Sequence, residues 1–262
     1  MKVLIHNSAE LAQQAVADIL SNRIAASPAS VLGLATGGTM EAVYDRLILA
    51  LSESGVPVEE VKTFNLDEYW GLAPDHPATY RSYMNSRLFG RAGFPVGRTF
   101  LPASDAADPV AESAAYEAKI RDAGGIDLQL LGIGQNGHIG FNEPTSSLAS
   151  RTRLKTLTES TRMANQQYFD GQEATPKYAI TMGIGTILDA RDCLLLATGS
   201  NKADAVRKMI EGPLGAHCPA SALQLHPKAT VVLDAAAATD LTLREYYQYV
   251  HPDGIDVQPS HG

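Results

Sequence analysis

The 262-residue sequence predicts a single-domain α/β protein, a three-layer, doubly wound and mostly parallel sheet with helices on both faces. Short apolar runs alternate with segments of helical periodicity along the whole chain. Several of these runs end directly at glycine-rich turns, as strands do when a helix follows. The composition, 45% hydrophobic and 19% charged residues, fits one globular core of this length. Together these observations indicate a Rossmann-like architecture.

The first predicted helix begins at Asn7 or Ser8, either of which can cap it, and ends before Pro28. Its apolar positions drift along one face: Leu11, Ala15, Ile19 and Ile24. A buried strand, 30–35, is predicted next, and it runs into Thr36-Gly37-Gly38-Thr39. A second helix follows at once, with apolar residues at helical spacing: Met40, Val43, Tyr44, Leu47 and Leu51.

The next predicted strand, 61–66, carries Asp67-Glu68-Tyr69 at its carboxyl end. A helix over 110–123 is predicted from its flanks, with Asp108 and Pro109 before it and Gly124-Gly125 after it. The apolar run 126–133 then predicts another buried strand. Segment 151–158 alternates basic with apolar or hydroxyl residues, which fits either a half-exposed strand or an extended loop.

In the last third of the chain, Ser160 is predicted to cap a short helix that ends near Phe169. Further strands of the parallel sheet are predicted at 178–182, 193–197 and 230–233. Helices are predicted at 202–211, before Gly212-Pro213, and around Leu243, Tyr246, Tyr247 and Val250, with a polar tail over 252–262.

Charge and cysteine content exclude some classes of function. The net charge of −8 argues against nucleic acid as a partner, although backbone amides on an acidic protein can still bind a small phosphate. The N-terminal apolar stretch has only three residues, so we expect no signal peptide, no membrane span and a cytoplasmic location. Cys193 and Cys218 lack metal-binding spacing and are predicted to be buried free thiols.

Residues 132–144 place a histidine and a carboxylate five positions apart in a glycine-dense loop. This loop follows a predicted strand, and open α/β sheets hold ligands at the carboxyl ends of their strands. We therefore expect His138 and Glu143 to face a pocket, where they could transfer protons. The alternative is a tight turn whose histidine only satisfies backbone groups.

Two further segments offer an anion site. Thr36-Gly37-Gly38-Thr39 presents backbone N–H groups and hydroxyls at a helix N-terminus, a natural cradle for phosphate. It lacks the lysine of a P-loop and the spacing of a dinucleotide site, which disfavours ATP and NAD. Lys202 opens a helix after Gly199 and could reach the same anion. An unliganded turn and a solvated lysine are the alternatives.

Asp67 is a candidate base, because it ends an apolar strand where partial burial would raise its pKa. A turn or helix-capping aspartate is the commoner alternative. The adjacent Glu68 should point elsewhere. The phosphate cradle, Lys202, Asp67 and the His138 loop together indicate a site for proton transfer on a small phosphorylated molecule.

Seven strings, in the same order and at similar separations, resemble the glucosamine-6-phosphate deaminase family over nearly the whole chain. They are LGLATGGT (32–39), TFNLDEYWGL (63–72), HPATYRSYM (76–84), GQNGHIGFNEP (134–144), SSLASRTRLKTLT (146–158), PKYAITMGIGTILDA (176–190) and LQLHPKATVVLD (223–234). The resemblance implies conversion of glucosamine 6-phosphate and water into fructose 6-phosphate and ammonia, without an organic cofactor or metal.

The resemblance also implies roles for residues. His138 and Glu143 would open the pyranose ring, and Asp67 would take the C2 proton. Residues 36–39 and Lys202 would hold the phosphate. A 6-phosphogluconolactonase-like hydrolase and a non-catalytic phosphosugar-binding regulator are the competing functions.

Two positions depart from the family pattern. Asn136 stands where part of the family has an aspartate, so we expect its side chain to accept a hydrogen bond from the imidazole and His138 to depend more on Glu143. Gln167 stands where an arginine commonly helps to bind phosphate. Its loss would weaken binding by on the order of 1 to 3 kcal/mol unless Arg162 or another chain supplies the charge.

Four positions match an allosteric branch of the family: Ser146, Arg153, Lys155 and Thr156. In that branch they bind N-acetylglucosamine 6-phosphate between subunits. The resemblance therefore implies an activator site and a homo-oligomer, with a hexamer favoured. The alternative is a basic exposed strand, because arginine and lysine are usually solvated.

Overall fold

The computed structural model describes residues 1–169 and 173–256 of the chain. Its strands are β1 (Lys2–His6), β2 (Val31–Leu34), β3 (Lys62–Asn65), β4 (Asp67–Tyr69), β5 (Thr99–Phe100), β6 (Leu128–Leu131), β7 (Arg153–Thr156), β8 (Tyr178–Thr181), β9 (Asp192–Ala197) and β10 (Ala229–Asp234). Its α-helices are α1 (Ala9–Ala26), α2 (Gly38–Ser54), α3 (Tyr80–Met84), α4 (Gly90–Ala92), α5 (Pro109–Asp122), α6 (Glu159–Asn165), α7 (Ile184–Leu188), α8 (Ala203–Ile210) and α9 (Arg244–Val250). A π-helical turn, Asn85–Phe89, joins α3 to α4, and 3₁₀ turns cover Val96–Arg98, Gln166–Tyr168, Ser200–Lys202, Pro219–Leu225 and Pro252–Gly254.

In the described part of the chain, seven parallel strands form the main sheet in the order β1-β10-β9-β6-β2-β3-β5. The predicted α/β class with a mostly parallel sheet is confirmed. Strand β6 lies in the middle, with β9 on one side and β2 on the other. Since all seven strands point the same way, their carboxyl ends meet at one edge, where the loops can share a site.

Strand β8 does not belong to the main sheet, although 178–182 was expected there. It pairs antiparallel with both β4 and β7 in a second, three-stranded sheet, with Asp67 opposite Thr181. The prediction failed because an apolar run reports burial and not which strand it pairs with. The extended segment at 151–158 is thereby identified as containing a strand.

The N-terminal segment forms strand β1, which the sequence did not predict. Its three consecutive apolar residues, Val3, Leu4 and Ile5, are all buried, as is usual for parallel strands covered on both faces. Cys193 and Cys218 are buried and unpaired, as predicted. No helix among residues 1–169 and 173–256 is long and apolar enough to cross a membrane.

Helices α1 and α2 begin near the predicted positions, but the buried face of α1 turns away from Leu11. Of the other predicted positions, Ile24 is buried, and Ala15 and Ile19 are half-buried against the core. Leu11 is 52% exposed. The buried positions are Ala12, Val16, Ala17, Leu20, Ser21 and Ile24. Small alanines allow α1 to pack closely, a preference that counting large apolar residues misses. Helix α2 buries all five predicted residues, and α5 has the predicted Asp108 cap.

The ends of α6 and of the chain also differ from expectation. Thr158, rather than Ser160, caps α6, because its hydroxyl accepts a hydrogen bond from Thr161 N. The predicted tail begins with an ordered turn, in which Gly254 packs against the ring of His6. Positions 257–262 of the tail lie outside the described residues.

Candidate active site

A cleft of about 570 Å³ opens at the carboxyl edge of the main sheet. Loops after three adjacent strands, β9, β6 and β2, and the segment after β3 contribute to it. It is lined by eight of the residues that the sequence singled out: Thr36, Gly37, Gly38, Thr39, Asp67, Asn136, His138 and Lys202. The prediction that these segments meet at one site is therefore confirmed.

The glycine turn exposes the first N–H groups of α2. Gly37 has a φ of 118°, which residues with a Cβ rarely adopt, and it supplies no capping side chain. Tyr83 Oη donates a 2.9 Å hydrogen bond to Gly37 O and so fixes the turn from outside. Met40 N already donates to Gly37 O at 2.9 Å, so the N–H groups of Gly38 and Thr39 are the ones of the first turn that an anion can use.

Lys202 reaches the cleft from the segment after β9. Its ammonium donates a 2.8 Å hydrogen bond to Ile133 O in the loop after β6, and burial lowers its pKa. Among the described residues, it is the only lysine or arginine that lines the cleft. A single bond to a carbonyl leaves two ammonium donors for an anion.

Asp67 lies at the base of the cleft and is only 6% exposed. Burial, with a smaller contribution from the charge of Glu68, raises its pKa to about 8. Thr181 Oγ1 lies 3.5 Å from Asp67 Oδ2. Gly140, in the loop after β6, has a φ of 54°, and a Cβ there would lie only 3.1 Å from Thr181 Oγ1. Most of this carboxyl is therefore protonated at neutral pH, and its ionised fraction is a stronger base than an ordinary aspartate.

Glu68 points away from the cleft, as predicted. It accepts hydrogen bonds from three backbone N–H groups, those of Tyr69, Tyr80 and Arg81. Two of these donors form the N-terminus of α3, where a carboxylate is favoured. Burial nevertheless raises the pKa of Glu68 to about 7. The charge of Glu68 in turn contributes to the raised pKa of Asp67.

His138 lines the cleft, whereas Glu143 lies behind it and is only 3% exposed. The expectation that both face the pocket is therefore wrong for Glu143. His138 Nδ1 lies 3.5 Å from Glu143 Oε2, within ion-pair range but without a well-formed hydrogen bond. Asn136 Nδ2 donates to that same oxygen at 2.6 Å.

The expectation that Asn136 accepts a hydrogen bond from the imidazole of His138 is wrong. Asn136 Oδ1 instead accepts a 3.2 Å hydrogen bond from the backbone N of His138. This short loop favours a side-chain bond to the backbone two residues on, the common Asx-turn geometry. Asn136 therefore holds the loop and the carboxylate, and the ring of His138 depends on Glu143.

Two threonines that the sequence did not single out complete the setting of Glu143. Thr158 Oγ1 donates at 3.2 Å to Glu143 Oε1, and Thr161 Oγ1 donates to the same atom. Burial alone would raise the pKa of Glu143, but nearby His138 and bonds from Thr161 and Asn136 lower it to about 2. The hydroxyl-rich start of α6 is the signal that could have identified them.

Glycine at 134 gives the imidazole its space. A Cβ on Gly134 would lie only 2.3–2.5 Å from ring atoms of His138, so no larger residue fits without moving the ring. Gly134 N also donates to His138 O at 2.9 Å. The glycine density of this loop thus has a steric cause.

The predicted compensation for the missing arginine does not appear in the cleft. Gln167 bonds to Ala164 O at 3.1 Å, and Arg162 bonds through Nε to Thr175 O at 3.1 Å. Neither lines the cleft. Helix α6 lines the cleft with Ser160, Thr161, Ala164 and Asn165 instead. Within one chain, Arg162 is therefore not the replacement cation.

None of the four residues of the predicted activator site lines the cleft. Ser146 is buried, and its hydroxyl has no hydrogen-bond partner among the described residues. Arg153 donates to Asn142 Oδ1 at 2.9 Å. Arg153 and Lys155 are half-buried, and only Thr156 is exposed, so a fully solvated basic strand is not what forms.

The fold and the cleft define an α/β enzyme that combines acid–base groups with an anion cradle. The chain belongs to the family of glucosamine-6-phosphate isomerases and 6-phosphogluconolactonases, whose model matches residues 5–232. It is 52% identical over 258 residues to a glucosamine-6-phosphate deaminase from Hahella chejuensis, with 98% of each chain covered. It is 53% identical over 250 residues to one from Cellvibrio japonicus, with 95% of each covered.

Solved structures agree with this membership. A monomeric glucosamine-6-phosphate deaminase superposes with a TM-score of 0.89 at 46% identity, covering 92% of this chain and all of that one. A 6-phosphogluconolactonase from Leishmania guyanensis superposes with a TM-score of 0.71 at 21% identity, covering 91% and 97%. At that identity the second comparison supports the fold alone.

Proposed function

We propose that this protein converts D-glucosamine 6-phosphate and water into D-fructose 6-phosphate and ammonia. Its relatives at 51–53% identity carry the name of this activity. The single observation that favours it within the fold is the buried carboxyl of Asp67, whose pKa is raised to about 8 in the same cleft as His138. A carbon acid requires such a base, whereas hydrolysis of a lactone does not.

The phosphate would bind at residues 36–39, with its oxygens accepting from the first N–H groups of α2. Lys202 would donate from the opposite side. This contact is remote from the reacting carbons, so its free energy serves to orient the sugar. The position of Asp67 in the same cleft would then bring C2 close to the carboxylate.

Ring opening falls to His138. The imidazole would take the proton of the anomeric hydroxyl and return a proton to the ring oxygen, so that the C1–O5 bond breaks and the aldehyde forms. Glu143 remains ionised, because its pKa is lowered to about 2, and it stabilises the imidazolium during the transfer. Asn136 and Thr161 hold that carboxylate in place.

Asp67 would then remove the C2 proton of the open-chain sugar, giving an enolamine. A proton added at C1 converts the enolamine into a C2 imine. Water adds to the imine carbon and the nitrogen leaves as ammonia, so that fructose 6-phosphate remains. Every proton in this sequence is exchanged with His138, Asp67 or water, so the chemistry uses no redox step.

The decisive experiment compares two substrates and two proteins. Wild type and Asp67→Asn are each incubated with millimolar glucosamine 6-phosphate and with 6-phosphogluconolactone. Deamination by the wild type and its loss in Asp67→Asn support the proposal. A folded wild type that hydrolyses the lactone and releases no ammonia would favour the lactonase hypothesis. A wild type that binds glucosamine 6-phosphate without turning it over would favour a non-catalytic regulator.

The activator site is a finer proposal. A phosphosugar such as N-acetylglucosamine 6-phosphate would bind at Arg153 and Lys155, which lie two residues apart on β7, with Ser146 and Thr156 contributing hydroxyls. The partnerless hydroxyl of Ser146 supports a ligand there. A saturation curve for the deaminase reaction that does not change on adding the acetylated sugar would count against this site.

Oligomeric state and location complete the proposal. A homo-oligomer, with a hexamer favoured, goes with the activator site, although one relative at 46% identity is described as monomeric. Sedimentation at micromolar concentration distinguishes a monomer from a hexamer.

A cytoplasmic location fits the two buried, unpaired thiols. One large buried cluster takes residues from Val3 to Leu241, with a smaller cluster around Tyr69 and Phe141, which supports treating residues 1–262 as a single domain.

A further inference from the structure

A second cation lies beside the glycine turn without lining the cleft. Arg87, in the π-helical turn, forms an ion pair with Glu41, with Arg87 Nη2 3.1 Å from Glu41 Oε2. Glu41 is three residues after Gly38, so the two share one face of α2. The ion pair therefore sits on the helical turn that would hold a phosphate.

Two tyrosines lie beside the glycine turn. Tyr83 Oη donates to Gly37 O, and Tyr168 Oη lies 3.6 Å from the position of a Cβ on Gly38. Burial raises the pKa of Tyr168, Glu41 raises it further and Arg87 opposes that effect. The charges of Glu41 and Arg87 therefore both act on the phenol oxygen of Tyr168, which lies beside Gly38.

The cleft also lacks positive charge for its proposed ligand. A sugar phosphate carries about −1.5 to −2 charges at pH 7, whereas Lys202 is the only lysine or arginine lining the cleft in the described part of the chain. Glu41 adds a negative charge nearby. An anion bound at Gly38 would compete with Glu41 for Arg87, and a phosphate offers a guanidinium more acceptor oxygens than one carboxylate does.

We propose that Arg87 is a phosphate-binding residue of this cleft, which exchanges Glu41 for the phosphate of the substrate at Gly38. This inference rests on the proposed function for the identity of the substrate. It assigns Glu41 a matching role as the counter-ion that holds Arg87 while the cleft is empty. Removal of either charge should therefore change phosphate affinity, in opposite directions.

The chain contains a matched control. Arg91 and Asp45 form a second ion pair, 2.5 Å apart and four residues further along the chain at each end. It joins α2 to α4, which directly follows the π-helical turn. One helical turn advances about 5.4 Å, so this pair has the same chemistry and sits further from Gly38. An ordinary surface ion pair contributes little to stability in either place.

The experiment measures KM and kcat for glucosamine 6-phosphate, together with the Kd of inorganic phosphate by calorimetry, in the full chain at low salt. Arg87→Gln should raise KM and Kd about 3- to 10-fold with little change in kcat. Glu41→Gln should lower KM and Kd about 2- to 5-fold, because both charges lie within a Debye length of the bound phosphate. Arg91→Gln and Asp45→Asn should change them less than 2-fold. Arg87→Lys should recover part of the loss, and 1 M salt should shrink all differences.

Equal effects at the Arg87 and Arg91 pairs, or a Glu41→Gln variant that binds phosphate more weakly, would overturn the inference. Equal thermal stability of the four neutralising variants excludes misfolding as the cause. Calorimetry does not depend on turnover. A protein that binds phosphate through Arg87 but never deaminates the sugar would contradict the proposed function alone.

Discussion

The side-chain amide of Asn136 donates a 2.6 Å hydrogen bond to Glu143 Oε2. The same carboxylate oxygen is 3.5 Å from His138 Nδ1. Asn136 thus fixes an acid that the histidine approaches without a well-formed bond. Asn136 therefore holds the carboxylate where it can pair with the imidazolium that ring opening would create. The contact between His138 and Glu143 is expected to shorten when substrate binds.

Replacement of Asn136 by aspartate should change the pH dependence while preserving activity. Asn136→Asp places two carboxyl groups in contact, so one is expected to hold a proton and the pKa of Glu143 should rise. The acidic limb of kcat/KM should move upward by on the order of one pH unit. Asn136→Ala should instead lower kcat at all pH values, and an Asn136→Asp profile that overlays the wild type would refute this account.

A methyl group at residue 134 should disable the imidazole selectively. Gly134→Ala puts a Cβ 2.3–2.5 Å from the ring, so the ring must leave its position beside Glu143. We expect kcat to fall by roughly 100-fold or more, the usual value of a positioned acid–base group. Gly97→Ala is the control, since nothing lies within 4 Å of its added Cβ. Equal activity of the two variants would contradict the claim that Gly134 makes room for the imidazole of His138.

Asp67→Asn should stabilise the protein while it abolishes deamination. The pKa of Asp67 is raised in the folded state, so the native protein holds this proton more tightly than the unfolded chain. Its contribution to stability is present below the unfolded pKa of about 4 and is lost as pH rises through about 8. The gain in Tm from Asp67→Asn should therefore grow from pH 4 to pH 9. A gain that is the same at both pH values would contradict a buried, neutral Asp67.

Glu68 should tune the basicity of Asp67 without contacting substrate. Its negative charge contributes to the raised pKa of Asp67. Glu68→Gln removes that charge, so the ionisation of Asp67 seen in kcat/KM should move to lower pH. The amide oxygen can still accept from Tyr69 N and Tyr80 N, whereas the bond from Arg81 N is lost. Glu59→Gln, at an exposed position, is the control and should leave the profile unchanged. A shift in kcat without a shift in the profile would indicate a purely structural role.

Much of this site could be predicted because its residues directly follow buried strands. Thr36, Asp67 and His138 each come after an apolar run, and parallel strands bring their carboxyl ends to one edge. Local rules also gave the Asp108 cap of α5 and the buried face of α2. In these cases the pattern within a few residues determines the outcome.

Two of the failures involve contacts between distant segments. Strand β8 pairs with β4 across more than a hundred residues, and no local pattern specifies that partner. Thr161 donates to Glu143 from another element. The failure at Asn136 is local, because its side-chain oxygen accepts from the backbone N of His138, two residues on, and not from the imidazole. Arg87 joins the vicinity of Gly38 through an ion pair that only the fold creates.

The central claim is that Asp67 removes the C2 proton of glucosamine 6-phosphate in this cleft. Proton NMR of the sugar with the purified protein, combined with an ammonia assay, tests it directly. The C2 proton signal should disappear as fructose 6-phosphate and ammonia accumulate in equal amounts, and Asp67→Asn should produce neither. A folded wild type that leaves millimolar sugar unchanged, or an Asp67→Asn variant that releases ammonia at the wild-type rate, would contradict the claim.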